Sequence, residues 1–382
     1  MLKLISQKTV WILVAWLAVS GVGAVQTIAE VKVDLGQTLF FDQNLSLNRN
    51  QSCATCHNPT VAFTDPRKNR VESAASMGSD LFSIGDRNAP TIAYAAISPE
   101  IYFDETMGRF RGGQFWDGRA TNLLDQAKRP FFNPKEMALP DKSILSERIK
   151  ETGYYIEHFP KVFGATVFSD DETLLAAIAT SLAAFQKAGF FSLFDSKYDR
   201  FLRGDYKLTE IEESGRSIFF STAKSNCSNC HRLEHNSYLL EPFTNFGYYN
   251  IGVPANQNLR SKNGLGELYR DVGLDRASGV ANRSGHGRFK VPGLRNVAAT
   301  SPYMHNGVFR QLKTVLEFHD KYNNPARTVN PETQATWIEP EIAEWIDSES
   351  LKAIALENKD IDALIAFLNL LTDRRYERII RH

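Results

Sequence analysis

The sequence predicts a mainly helical protein of two similar domains with few short strands. Three observations predict this. Apolar residues recur at helical spacing in several separate segments. A helix-like stretch followed by Cys-x-x-Cys-His occurs twice, ending at Cys53–His57 and at Cys227–His231. Alternating apolar and polar residues nowhere persist long enough for a sheet, and only runs such as Lys290-Val291-Pro292 read as short strands.

The elements follow in order. Residues 1–24 read as a signal peptide: Lys3 and Lys8 open it, Val10–Val19 is apolar, and Val22-Gly23-Ala24 ends in small residues suited to cleavage. The apolar run is short for a span of about 20 residues, so an exported chain without a membrane span is expected. Residues 25–205 and 206–382 are the two expected domains. In the first, a polar stretch punctuated by Gly and Pro runs from the Cys motif to about residue 113. Residues 170–187 then read as a helix, with Asp170, Asp171 and Glu172 at its start and Leu174, Leu175, Ile178, Leu182 and Phe185 along one face. Residues 188–207 read as a connector. Thr209 and Glu212 form a capping box that opens the second unit, with Ile211, Ile218 and Phe219 as its apolar face. Residues 232–290, rich in Gly and Asn, show no clear element. Two more helices follow: 311–323 aligns Leu312, Val315, Leu316 and His319, and 359–372 aligns Ile361, Leu364, Ile365, Leu368 and Leu371.

Composition bounds the function. The chain has 382 residues, 43% apolar and 23% charged, enough for two well-packed domains. Basic and acidic residues number 44 each, and removing residues 1–24 leaves 42 against 44. That balance excludes a general attraction to nucleic acid or anionic membrane.

All four Cys fall in the two Cys-x-x-Cys-His units. Two thiols at this spacing match the vinyl groups of a haem, to which they add as thioethers, and the adjacent His lies under the iron. Zinc or a redox dithiol needs no His directly after each second Cys. Two covalently bound haems are therefore expected, held by Cys53, Cys56 and His57 and by Cys227, Cys230 and His231. The two units are cytochrome c-like domains with a haem-bearing interface.

Each iron then has a sixth position that is filled or open, and this choice separates electron transfer from small-molecule chemistry. For the second haem, His319 lies on the apolar face of its helix. It reads as a ligand, against the plainer role of a core histidine bonded to a carbonyl; Met304 and His305 compete for the position. For the first haem, residues 58–157 hold no His. Met77 and Met107 lie there in loop-like sequence, so an open iron is expected. An open ferric haem beside a carboxylate is suited to peroxide chemistry.

Several ordered motifs carry a family resemblance. They are Cys53–His57, Arg87-Asn88-Ala89-Pro90-Thr91, Phe115-Trp116-Asp117-Gly118-Arg119, Asn133-Pro134-Lys135-Glu136-Met137, Cys227–His231, Lys290–Val297 and Pro302-Tyr303-Met304-His305-Asn306-Gly307. Together they resemble the bacterial di-haem cytochrome c peroxidases and the related methylamine-utilisation (MauG) enzymes, over nearly the whole mature chain. The resemblance implies that Glu136 is the distal acid/base and that Gln126, ten residues earlier, shares its pocket, with Pro130 between them. It implies that Trp116 relays electrons between the haems, and that a calcium ion takes the Asn88 side chain and the carbonyls of Thr300 and Pro302. Two departures stand out. Many peroxidases of the family cap the first iron with a loop His that this chain lacks, as in the MauG type. The far ligand of the second haem, Met in typical peroxidases and Tyr in MauG, falls here at His319.

The expectation is a periplasmic di-haem peroxidase-like oxidoreductase that consumes H2O2. Its electrons would come from a small cytochrome c or a cupredoxin, or from a protein target that is itself oxidised, as in the MauG branch. The resemblance brings homodimers as one state of assembly. Two other readings are an electron-transfer cytochrome with both irons six-coordinate, Met77 being the candidate ligand, and a haem-based sensor without turnover.

Overall fold

The computed structural model describes residues 26–233, 241–277 and 286–380; the expected signal peptide, His235 and His382 lie outside them. The first half is built from helices α1 (Ile28–Phe41), α2 (Cys53–Cys56), α3 (Leu123–Lys128), α4 (Lys142–Lys150), α5 (Gly153–Phe163) and α6 (Asp171–Gln186). The second contains α7 (Lys197–Leu202), α8 (Glu210–Phe220), α9 (Cys227–Cys230), α10 (Gln257–Arg260), α11 (Leu312–Asp320), α12 (Ser348–Leu351) and α13 (Asn358–Leu370). Four short strands complete it: β1 (Tyr102–Asp104) pairs antiparallel with β2 (Arg109–Arg111), and β3 (Tyr248–Tyr249) with β4 (Phe289–Lys290).

Each half has its own apolar core. In the first, α1 lies on α6, whose Leu174, Leu175, Ile178, Leu182 and Phe185 are all buried, as the spacing predicts. In the second, α8 lies on α13 and buries Ile361, Leu364 and Leu368. The Thr209–Glu212 capping box is present. Burying these stripes of large side chains is what holds short helices together.

Several expectations need correction. Ile211 is exposed, and α8 instead buries Gly215, Ile218 and Phe219. The segment 188–207 is more than a connector: it contains a 3-10 turn at Gly189–Phe191 and the helix α7. Tyr198 of α7 packs in the second core, although it precedes residue 205. The polar stretch after the first Cys motif ends in the β1–β2 hairpin, and the unassigned 232–290 contains β3, α10 and β4.

The halves interlock through this irregular backbone. Arg111 of β2 bridges to Gly247, and its Nε donates to the Asn245 carbonyl at 2.7 Å. The Tyr248 hydroxyl donates to the Gly112 carbonyl at 2.7 Å, and Lys290 Nζ donates to the Gly113 carbonyl at 2.6 Å.

Candidate active site

Both Cys-x-x-Cys-His units fold alike. One helical turn carries the two Cys, and the His amide donates back to the first Cys carbonyl, at 2.9 Å for His57 and 3.0 Å for His231. Each His then presents Nδ1 to a phenylalanine carbonyl: His57 to Phe63 at 3.2 Å, His231 to Phe243 at 3.0 Å. With Nδ1–H donating there, Nε2 is left as the ligating atom. Both accepting phenylalanines have positive φ, 57° and 58°, which turns their carbonyls onto the rings. Burial depresses both imidazoles, His231 to about 4, so each is a neutral nitrogen donor. Burial pushes the thiols up, Cys53 and Cys56 to about 12 and Cys230 to about 11, so with nothing bound they stand as neutral thiols. The two Cys pairs also line different cavities, and the described residues contain no cluster of His, Cys, Asp or Glu arranged for a bare metal ion. These features fit haem and do not fit a four-cysteine zinc site.

The cavity at the second motif measures about 420 Å³. Cys227, Cys230 and His231 line one wall; Leu312, Val315, Leu316 and His319 line another. The face of α11 that the sequence marks as apolar therefore meets this cavity, while Thr314 and Phe318 turn into the protein. His319 Nδ1 lies 2.8 Å from the Val315 carbonyl, one helical turn back, which directs Nε2 away from the helix. His319 is near enough to His231 to depress it further. Met304 and His305 line the same cavity. The His305 ring is stacked on Phe289, 3.5 Å between centroids, and its Nε2 has no hydrogen-bond partner.

The cavity at the first motif measures about 360 Å³ and is lined by Cys53, Cys56 and His57 together with Gln126, Pro130 and Glu136. Gln126 comes from α3, which Asn122 caps. Glu136 sits in the turn after it: its amide donates to the Asn133 carbonyl at 2.9 Å, and Asn133 Nδ2 donates to Glu136 Oε1 at 2.8 Å. Burial raises the Glu136 carboxyl, and the charge of Arg119 works against that rise. Arg119 stacks on the Phe115 ring at 3.7 Å and pairs with Asp117 at 2.9 Å. Met77 packs with Val71, Ala74, Ala75, Ile84 and Leu259, and lines neither cavity.

Trp116 and Asn88 line both cavities. Trp116 Nε1 donates to the Asn88 carbonyl at 2.9 Å, and its own carbonyl accepts from the Lys290 amide at 2.8 Å. Thr300 and Pro302 join Asn88 on the wall of the larger cavity. Sequence reading missed three residues of these walls. Arg119 belongs to a quoted motif but was assigned no task. Met137, beside Glu136, is a thioether on the first cavity's wall, itself packed into the core. Lys290 is buried against Gly113, and burial pushes its ammonium down to about 8.

The chain is similar to several known proteins. The di-haem cytochrome c peroxidase family profile matches residues 30–207. The chain is 47% identical to the methylamine utilization protein MauG of Paracoccus denitrificans over 350 residues, 91% of this chain and 89% of that protein. It is 30% identical to the cytochrome c551 peroxidase of Nitrosomonas europaea, over 74% of this chain and 71% of that one. The solved diheme peroxidase BthA of Burkholderia thailandensis superposes with a TM-score of 0.79 at 29% identity, covering 92% of this chain and 88% of that one. Two haem c groups, one at each Cys-x-x-Cys-His unit, are the family's cofactors, and the chain belongs to the di-haem cytochrome c peroxidase and MauG family of oxidoreductases.

Proposed function

We propose that peroxide reacts in the smaller cavity, opposite His57, with Glu136 as acid/base and Gln126 as its neighbour. One observation carries the reading: a buried carboxyl with a raised pKa shares that cavity with a His whose Nε2 is free to ligate. The haem iron supplies peroxide binding and the electrons for O–O cleavage. Glu136 takes the proton from the near oxygen of H2O2 and returns it to the leaving oxygen. Asn133 fixes Oε1, so the carboxyl turns about one held atom. Gln126 orients the peroxide by hydrogen bonding. Trp116, common to both walls, carries oxidising equivalents toward the second haem. His319, which shares the larger cavity with His231, would hold that haem's iron from the far side, with Met304 the alternative. The Asn88 side chain and the Thr300 and Pro302 carbonyls, which line the same cavity, would hold a calcium ion.

In this reading the enzyme is exported to the periplasm behind its signal peptide. It takes electrons from a small cytochrome c or a cupredoxin, or oxidises a protein target; the 47% identity to MauG supports the latter. A homodimer is compatible with it. A division into two domains is supported by the two separate cores, with Tyr198 of α7 packing in the second. The pure electron-carrier reading called on Met77 as a ligand, and the packing of Met77 away from both cavities argues against it. The test is Glu136→Gln in the haem-loaded protein. Its reaction with H2O2, followed by stopped-flow absorbance, should slow by about 10² or more; a rate near that of the unaltered enzyme removes Glu136 from the role.

A further inference from the structure

Tyr94 lies on the wall of the larger cavity, which Trp116 also lines, and is 4% exposed. Its hydroxyl donates to Asp373 Oδ1 across 279 residues of sequence and accepts from the Phe194 amide at 3.1 Å. Asp373 is fully buried just beyond α13. Its other oxygen accepts from Asn296 Nδ2 at 2.9 Å, and its amide donates to Asn296 Oδ1 at 2.8 Å. Asp373 is thus held at three points, two of them on its carboxylate, with one oxygen aimed at the phenol.

A phenol gives up an electron readily only if its proton has somewhere to go, because the oxidised phenol is a very strong acid. A carboxylate already hydrogen-bonded to the hydroxyl is such a place. Burial raises Asp373 toward proton uptake. Trp116 offers the contrast: its Nε1–H meets the Asn88 backbone carbonyl, a very weak base, so a hole on Trp116 keeps its proton and passes on. Among the described residues, the other tyrosines lack one of the two requirements. Tyr155 donates to Asp42 at 2.8 Å but lines neither cavity; Tyr303 lines the larger cavity but donates to the Val297 carbonyl. The Arg295 guanidinium lies 5.5 Å from the Tyr94 ring and would oppose oxidation, but Asp199 pairs with it through both nitrogens, at 2.5 and 2.8 Å.

We propose that Tyr94, with Asp373 as its proton acceptor, is a redox-active side chain that holds one oxidising equivalent until the partner protein delivers an electron. The inference rests on the peroxide reaction proposed above. In the step, one electron leaves the phenol for the peroxide-oxidised haem pair, the Tyr94 O–H bond breaks, and the proton passes to Asp373 Oδ1. An electron from the partner, with the proton returned from Asp373, restores the phenol.

The experiment uses the haem-loaded enzyme made with ring-deuterated tyrosine, mixed with H2O2 without any partner protein and frozen for EPR. An organic radical whose line narrows on deuteration is expected, and it should vanish in Tyr94→Phe. Asp373→Asn keeps the phenol but removes its base, and should lower the radical yield by about tenfold, the scale of one hydrogen bond to a charged acceptor. The optical change of the haems on peroxide addition is recorded in the same samples. No haem change defeats the peroxide reading and this inference with it. A normal haem change defeats the inference alone if the radical is insensitive to tyrosine deuteration or survives in Tyr94→Phe. Because the deuteration result needs no substitution, a radical insensitive to it overturns the inference even if a variant fails to fold.

Discussion

At Glu136 two effects oppose each other. Burial favours the neutral acid, and the guanidinium of Arg119 favours the carboxylate. Arg119 is itself held by Asp117 and the Phe115 ring, so its charge has a fixed place. Replacing it by Gln leaves only the Asn133 hydrogen bond to oppose burial and raises the Glu136 pKa. The base form then exists only at higher pH, and the acid limb of the peroxide rate profile should move upward; an unmoved limb would mean that Arg119 does not act on Glu136. His319 offers a second check. If it ligates the second iron, His319→Ala should turn a low-spin ferric EPR signal into a high-spin one, and an unaltered spectrum would hand the position to Met304 or His305. Residues differ in how far sequence reveals them. Cys53–His57 is legible because its chemistry needs neighbours in the chain. Glu136 owes its burial to α3 and to the turn beyond it, so nothing in its local pattern marks it, and only the resemblance did. Arg119 gains its task from a stacked ring and a charge across space, which no spacing rule encodes.

Among the helices, each half makes its main crossing at a glycine. A Cβ on Gly36 of α1 would stand 2.0 Å from the Ser181 carbonyl oxygen of α6; one on Gly215 of α8 would stand 1.9 Å from the Ala363 oxygen of α13. Backbone on both sides leaves no flexible side chain to give way. Gly36→Ala and Gly215→Ala should each cost about 1–3 kcal/mol through forced separation of the helices, read as a lower Tm. Since α8 leads into the second Cys motif, Gly215→Ala should disturb the spectrum of that haem before the other. Loss of stability equal to that of an exposed Gly→Ala change, near zero or favourable, would refute the close-packing account. The long periodic helices α6 and α13 were legible because their whole stripes face apolar neighbours. α4 and α5 were passed over: α4 has nine residues, and α5 carries Pro160 inside it, a signal that ordinarily ends a helix. The reading of Ile211 failed because Gly215, with no side chain to score, is what α8 turns toward α13. For α11 the stripe was right and its partner was a cavity rather than a core.

Across the molecule, buried charge joins what the two cores keep apart. Arg87 pairs with Asp117 of its own half at 2.7 Å and with Asp271 of the other half at 2.7 Å; the two carboxylates are 2% and 1% exposed. Arg260, wholly buried, extends the chain of charges to Glu341 at 3.2 Å. Such pairs gain little over apolar packing while intact, but breaking one strands a charge out of water. Arg87→Ala leaves Asp117 and Asp271 without their shared cation and should cost about 3–5 kcal/mol. The loss should fall on the joint between halves, so that calorimetry of the variant shows two transitions where the parent shows one. The pH dependence has a definite sign. Burial pushes the Asp271 carboxyl up, but the Arg87 guanidinium outweighs it and holds the group well below its ordinary 3.8. A depressed carboxylate stabilises the fold fully above its unfolded value and ceases to do so as pH falls through the folded one. The parent should therefore lose part of its stability below about pH 4, and in Arg87→Ala that share of the acid loss should disappear because Asp271 no longer has a depressed value to give up. Equal acid sensitivity in both proteins would place the loss elsewhere and leave Arg87 with no role in joining the halves.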